Sequence, residues 1–253
     1  MDTKNKVFIT GGSKGIGREL ALEYIKKDYE VFLFARNETA LEQITEFIKS
    51  KGGKAHYFAG DVTIKENVEE AVALAHKKMG RIDIAVLSAG ISQYINIRNY
   101  KADNLENMLK INLLGVAYCL EYIIPIMKQQ SSGKIAGMSS IASFRAVPGS
   151  SSYSITKIGL DYLLESARIE LKDLGIHVTT CRFGFVDTEF IKKNDFYMPF
   201  VVKVNDAAKR IIEGIEKNKR KIQFPLIMVL ATKIAAILPE FIYEKILKFR
   251  VKD

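Results

Sequence analysis

Cysteine and histidine are scarce in this chain of 253 residues: Cys119 and Cys181 stand singly in apolar stretches, and His56, His76 and His177 are scattered. Two separated thiols give no disulfide framework and no zinc-ligand spacing. A helix of the type His-Glu-x-x-His is missing too, so no metal site is expected and the histidines are read as structural. Met1–Asn5 runs straight into the apolar Val7-Phe8-Ile9 without a basic stretch and a long apolar run, the pattern of a secretory leader. A cytoplasmic protein is expected. Internal repeats and low-complexity tracts are also lacking, and 48% hydrophobic with 26% charged residues describes a globular chain. Acidic residues are the minority, 29 against 38 Lys and Arg, for a net charge of +9. From Lys203 to Asp253 there are 12 basic and 6 acidic residues, but no basic stripe with interleaved aromatics, so nucleic acid is not an expected partner.

What is present is a glycine-rich turn. Thr10-Gly11-Gly12-Ser13-Lys14-Gly15-Ile16-Gly17 follows an apolar strand and precedes the helical Arg18-Glu19-Leu20-Ala21-Leu22. In that order, backbone N–H groups and a helix N-terminus receive a dinucleotide pyrophosphate. Gly11 would serve the tight turn, Gly15 the approach of phosphate and Gly17 the helix packing. A plain strand-to-helix turn is the bland alternative. Farther on, Tyr153 has Lys157 four residues downstream, which on a helix puts both on one face. An ammonium beside a phenol favours tyrosinate and lowers its pKa, so Tyr153 would be able to protonate a carbonyl oxygen. Such pairs also share helix surfaces for no chemical reason.

Together these residues resemble the short-chain dehydrogenase/reductase family in its single-domain form. Thr-Gly-x-x-x-Gly-Ile-Gly is similar to that family's cofactor turn and Tyr-x-x-x-Lys to its catalytic signature. Ser140 stands thirteen positions before Tyr153, Asn112 matches the asparagine of the family's central helix, and Asp61-Val62 matches the pair that meets adenine. The resemblance runs from about Lys6 to Thr188. It implies hydride transfer between a nicotinamide and a carbonyl or alcohol, with Tyr153 as proton donor, Ser140 holding the oxygen, Lys157 on the nicotinamide ribose and Asn112 ordering a water. It further implies that Ser13, Gly15 and Ile16 meet phosphates, and that Ser88, Ala89, Gly90, Gly184, Val186 and Thr188 complete the cofactor site.

Two positions depart from the family: Ser88-Ala89-Gly90 stands for Asn-Ala-Gly, and Phe183-Gly184 for Pro-Gly. Serine keeps a hydroxyl for local bonding, whereas losing proline frees a φ at the start of the substrate loop. Cofactor choice is read from charge. Where an NAD protein carries an acidic residue after the second strand, this chain has Ala35-Arg36, and Lys14 lies inside the glycine turn. Two cations suit a 2′-phosphate, so NADP(H) is expected over NAD(H), the alternative being solvated surface charges.

The pattern of β-rich runs alternating with helical ones predicts an α/β single-domain Rossmann fold, a doubly wound, mostly parallel seven-stranded sheet with helices on both faces. Strands are placed near Lys6–Thr10, Glu30–Ala35, Ala55–Ala59, Ile82–Ser88, Gly133–Ser139, His177–Arg182 and Lys221–Phe224, and helices over Glu38–Lys51, Lys65–Met79, Leu105–Gln129, Ser152–Leu174 and Asp206–Asn218. Residues 1–225 form the catalytic domain and 226–253 an apolar and basic helical extension of it.

That extension holds Leu226–Leu238, too short to span a bilayer and interrupted by Lys233. After Pro239, a short amphipathic helix would gather Phe241, Ile242, Ile246 and Phe249 on one side, with Glu240, Glu244, Lys245 and Lys248 elsewhere and Arg250 and Lys252 beyond. Contact with a membrane's inner face, with a second subunit or with the chain's own domain would each suit it. In the family that this chain resembles, the region from Phe190 to Val202 covers the substrate, and its apolar, aromatic composition here implies an apolar, lipid-like one. Family relatives pair through the helices matching Leu105–Gln129 and Ser152–Leu174, so a homodimer or homotetramer is expected. Three functions remain open: a reductase, a non-catalytic NADP(H)-binding scaffold or sensor, and a membrane-peripheral protein compatible with the first.

Overall fold

A computed structural model of the chain describes residues 5–192 and 197–248. In chain order it contains β1 (Lys6–Thr10), α1 (Gly15–Lys26), β2 (Glu30–Ala35), α2 (Glu38–Ser50), β3 (Lys54–Ala59), α3 (Lys65–Met79) and β4 (Ile84–Leu87). Then follow α4 (Ala102–Leu109), α5 (Gly115–Gln130), β5 (Gly133–Ser140), α6 (Ser151–Glu170), β6 (Ile176–Phe183), β7 (Val186–Asp187), β8 (Val202–Lys203), α7 (Val204–Glu216), β9 (Lys221–Phe224), α8 (Leu226–Ile237) and α9 (Glu240–Leu247). Seven strands form one sheet in the order β3-β2-β1-β4-β5-β6-β9, with every pairing parallel. The sheet foreseen from the sequence is therefore the one found.

Alternation of side chains makes this a three-layer structure. Val7 and Ile9 of β1, with Val31 and Leu33 of β2, join a core completed by α1, α2 and α7. Phe8, Phe32 and Phe34 point the other way, into a core completed by α3, α5 and α6. Both faces are covered, which is why the two strands are apolar at nearly every position. Cys181 lies in the first core and Cys119 in the second, on opposite sides of the sheet. Burial pushes the Cys119 thiol up to about 12 and raises Cys181 further, leaving both unreactive.

Several boundaries differ from the sequence reading. β4 is shorter than expected, because the Ile82 N–H is taken by the Gln130 side chain and the Ser88 hydroxyl turns back on β1. The central helix begins at Ala102 and contains a π-helical stretch, Lys110–Leu114, around Asn112. Length and apolarity alone would let Ala102–Gln130 cross a membrane; here Met108, Ile111, Val116, Cys119, Leu120, Ile123 and Met127 are buried in the fold. Unforeseen was the two-stranded pairing of β7 with β8, which frames the loop after Thr188. Of that loop, Lys193–Phe196 lie outside the described residues, as do Phe249, Arg250 and Lys252 of the tail.

Candidate active site

The order of strands reverses between β1 and β4, and ligands of open parallel sheets bind at the carboxyl ends beside such a reversal. The glycine turn is built there. Gly11 has φ +69°, a left-handed conformation disfavoured for other residues, and a β-carbon on it would come within 3.0 Å of the Ala89 backbone. A β-carbon on Gly17 would strike the Gly11 carbonyl and come within 2.8 Å of the Ser88 hydroxyl. Thr10 fastens the other side, its hydroxyl accepting from the Ala89 N–H at 3.0 Å and its carbonyl from the Ser88 hydroxyl. Serine thus keeps β1 tied to β4 at the position where the family pattern has asparagine.

Helix α1 starts at Gly15 with no side-chain cap and no acidic residue in its first turn, so its N–H groups are left for an anion. Ser13 and Ile16 are half-buried beside it, whereas Lys14 is exposed. The Gly15 end is closed by Thr188, whose methyl would lie 3.7 Å from a β-carbon on Gly15, and whose hydroxyl donates to the Val186 carbonyl at 3.2 Å. At the end of β2, Arg36 is exposed and lies 3.6 Å from Asp61, across a surface ion pair. Asp61 also accepts from the Thr63 N–H at 2.9 Å, and its neighbour Val62 is buried against Gly115. A turn walled by backbone, an uncapped helix start and flanking cations make a cradle that fits a dinucleotide diphosphate.

The catalytic candidates lie on the same rim. Gly90 joins the two halves, since a β-carbon there would lie 3.2 Å from Asn112 Oδ1 and 3.8 Å from Lys157 Nζ. Asn112 is fully buried and acts as a strut: its Oδ1 accepts from the Ile91 N–H at 2.8 Å, and its Nδ2 donates to the Ile91 carbonyl at 2.9 Å and to the Thr156 hydroxyl at 3.1 Å. Both amide hydrogens are spent on protein acceptors. Ser140 ends β5, where its Oγ accepts from the Ala142 N–H at 3.1 Å and donates to the Phe183 carbonyl at 3.5 Å, and it neighbours Tyr153 closely enough to favour the tyrosinate. Gly184 follows β6, with Ile141 and Met228 of α8 against it.

Tyr153 and Lys157 do share a face of α6, with the Lys157 ammonium 5.4 Å from the Tyr153 ring centre. The expected acidification of the phenol is not what the protein alone produces. Burial pushes Tyr153 up to about 12, and the neighbouring Ser140 hydroxyl opposes this only in part. Burial likewise brings Lys157 down to about 8, against the pull of the Asp161 carboxylate. The reason is geometric. Lys157 Nζ donates to the Met138 carbonyl of β5 at 2.7 Å instead of pointing at the phenol, so desolvation outweighs charge attraction.

Two contributors had gone unassigned from sequence. Asp161, one turn beyond Lys157, is buried and pairs with Arg182 at 2.8 Å. Its spacing of four from the lysine was the available signal. Arg145 lies between Ser140 and Tyr153, and its Nη1 donates to the Ala235 and Leu238 carbonyls at 2.5 and 2.7 Å. Nothing local in the sequence points to that contact.

With this geometry in place, comparison with known proteins is direct. The family model described as short chain dehydrogenase matches residues 5–196. An uncharacterized oxidoreductase of Listeria monocytogenes is 36% identical over 195 residues, covering 76% of this chain and 79% of its own. One of Myxococcus xanthus is 29% identical over 237 residues, 94% of each chain, and the human short-chain dehydrogenase/reductase 3 is 29% identical over 252 residues, 98% of this chain and 83% of its own. Among solved structures, ElxO with NADP bound superposes with a TM-score of 0.80 at 30% identity, over 87% of this chain and 98% of that one. A Burkholderia phymatum short-chain enzyme in complex with NAD gives 0.85 at 18% identity over 92% of each chain, a likeness of fold.

Proposed function

The chain belongs to the short-chain dehydrogenase family of NAD(P)-dependent oxidoreductases, and from that premise we propose that it is an NADPH-dependent carbonyl reductase acting on an apolar, lipid-like substrate. The observation that carries this reading is the convergence of Ser140, Tyr153 and Lys157 beside the glycine turn, with Gly90 and Asn112 joining the two. When bound, the nicotinamide supplies the hydride. Tyr153 delivers the proton to the substrate oxygen, which Ser140 holds by hydrogen bonding. Lys157 steadies the tyrosinate left behind, and at about 8 it can be largely protonated near neutral pH.

Arg36 and Lys14 support NADP(H) over NAD(H): both are exposed cations flanking the cradle, and the residue ending β2 is Ala35, not an acid. The substrate class follows from the mouth. Phe190 sits 6.4 Å from the Tyr153 ring, and Tyr197, Phe200 and Val201 expose apolar surface in the loop beyond. A homodimer or homotetramer through the central helix and α6 is supported by exposed Leu114 of the π-helical stretch and exposed Ile155, Ile158, Tyr162 and Ile169 of α6. The rate of NADPH oxidation across aldehydes and ketones of increasing chain length tests the whole reading. Rates that rise with chain length support it. NADPH binding without turnover on any of them would return the chain to a cofactor-binding scaffold.

A further inference from the structure

Helix α8 is apolar but for Thr232 and Lys233, a composition that normally marks a buried helix. Its inner side consists of Met228, Val229, Thr232, Ala235 and Ala236, which are buried or half-buried, and it packs on the turn after Ser140 and on Gly184. The larger side chains point outward. Leu226, Ile227, Leu230, Ile234 and Ile237 fall within roughly 100° of the helix circumference, and each is at least 49% exposed. Small residues inside and large aliphatics outside invert the usual arrangement of a surface helix. On α9 the exposed Phe241, Ile242 and Ile246 extend the apolar surface.

We propose that this face of α8 and α9 docks on an anionic lipid bilayer. Charge selects that occupant. Lys233 borders the aliphatic arc of α8, its ammonium 5.9 Å from the Phe144 ring centre, Lys245 stands among the exposed apolar residues of α9, and by helical spacing Glu240 falls on the far side of α9 with Glu244 at the edge of the apolar arc. The chain as a whole carries +9. A second copy of the same face would bury Lys233 and Lys245 against largely aliphatic side chains, whereas anionic headgroups neutralise them. Aliphatic side chains with cations at their edge match the boundary between acyl chains and headgroups.

The face is held at a fixed angle to the catalytic centre. Besides taking the last carbonyls of α8, the Arg145 guanidinium lies 3.9 Å from the ring centre of Tyr243 on α9, whose hydroxyl donates to the Ala146 carbonyl at 2.6 Å. Residues 141–150, which carry these contacts, link Ser140 to Tyr153. A docked surface is thus tied to the segment that bounds the substrate mouth.

Flotation of the full chain with phosphatidylcholine vesicles, with and without phosphatidylglycerol, tests the proposal. The expected result is recovery with the anionic vesicles and a drop of about tenfold or more for a variant combining Leu230→Glu and Ile234→Glu. Circular dichroism and NADPH binding establish that the variant is folded, and sedimentation velocity gives the oligomeric state of both proteins. If the wild type stays soluble with both vesicle types, or the variant floats equally well, the proposal is overturned. A wild-type oligomer that fails to float and that the variant dissociates would make the face a subunit interface. Flotation needs no turnover, so this outcome is separable from that of the reductase reading.

Discussion

Asp161 stands one helical turn beyond Lys157, and its buried carboxylate partly offsets the desolvation that depresses the lysine. Asp161→Asn therefore lowers Lys157 below about 8. Carbonyl reduction, which uses the lysine cation, falls as pH rises through that pKa, so this limb of the kcat profile moves to lower pH in the variant. The same change leaves Arg182 buried without its partner and costs roughly 3–5 kcal/mol of stability. Profiles measured below the variant's melting temperature separate the two effects; an unmoved limb refutes the coupling.

Lys157→Met is expected to melt higher than the wild type at neutral pH while losing turnover. The folded pKa of about 8 lies below the ordinary 10.5, so between these values the unfolded chain holds more protons and stability rises with pH. Below that window the buried cation costs roughly 3 kcal/mol, which methionine removes. Thermal melts from pH 7 to 10 check it. The wild type should gain stability across the range and the variant should not.

Tyr153→Phe keeps NADPH affinity within about twofold and lowers kcat by about a hundredfold or more, because the lost hydroxyl acts in proton transfer. Cofactor titration with steady-state kinetics reads both numbers. Near wild-type turnover would remove Tyr153 from the chemistry.

Arg36→Asp places two carboxylates side by side with Asp61 where a 2′-phosphate is expected. Loss of a charged hydrogen bond of roughly 1.5–3 kcal/mol shifts preference from NADPH toward NADH by at least about tenfold. Titrating both cofactors against both proteins decides it, and an unchanged ratio would make Arg36 a surface cation.

Arg145→Ala strips the end of α8 of its guanidinium partner and Tyr243 of its stacking partner. The expected loss is about 1.5–3 kcal/mol, seen as a lower melting temperature, together with a raised KM for long-chain carbonyls. If both values stay at wild type, the clasp contributes nothing in solution.

The sheet and the cofactor cradle were legible because they depend on local rules. Val7-Phe8-Ile9 reads as a strand covered on both faces, and the spacing of Gly11, Gly15 and Gly17 reads as a turn into a helix. What escaped depended on distant contacts. The phenol of Tyr153 was expected to be acidified by its neighbour, but the carbonyl of Met138, on strand β5, captures the Lys157 ammonium. The π-helical turn at Asn112 likewise has no signature in Lys110-Ile111-Asn112-Leu113-Leu114, since it arises where the side chain reaches over to Ile91. Apolarity of Leu226–Leu238 was visible, but which side faces outward follows only from the docking of Met228 and Val229.

The Arg145 clasp also bears on where the chain can be cut. By sequence the last segment reads as an appendage, and a chain ending at Phe224 looks like a natural minimal enzyme. Yet such a cut would uncover the seat of Val229 and strand a guanidinium in the very loop that joins Ser140 to Tyr153. Trimming the tail is thus expected to disturb, from a distance, the segment between the two catalytic candidates, through the contacts that α8 and Tyr243 make with it.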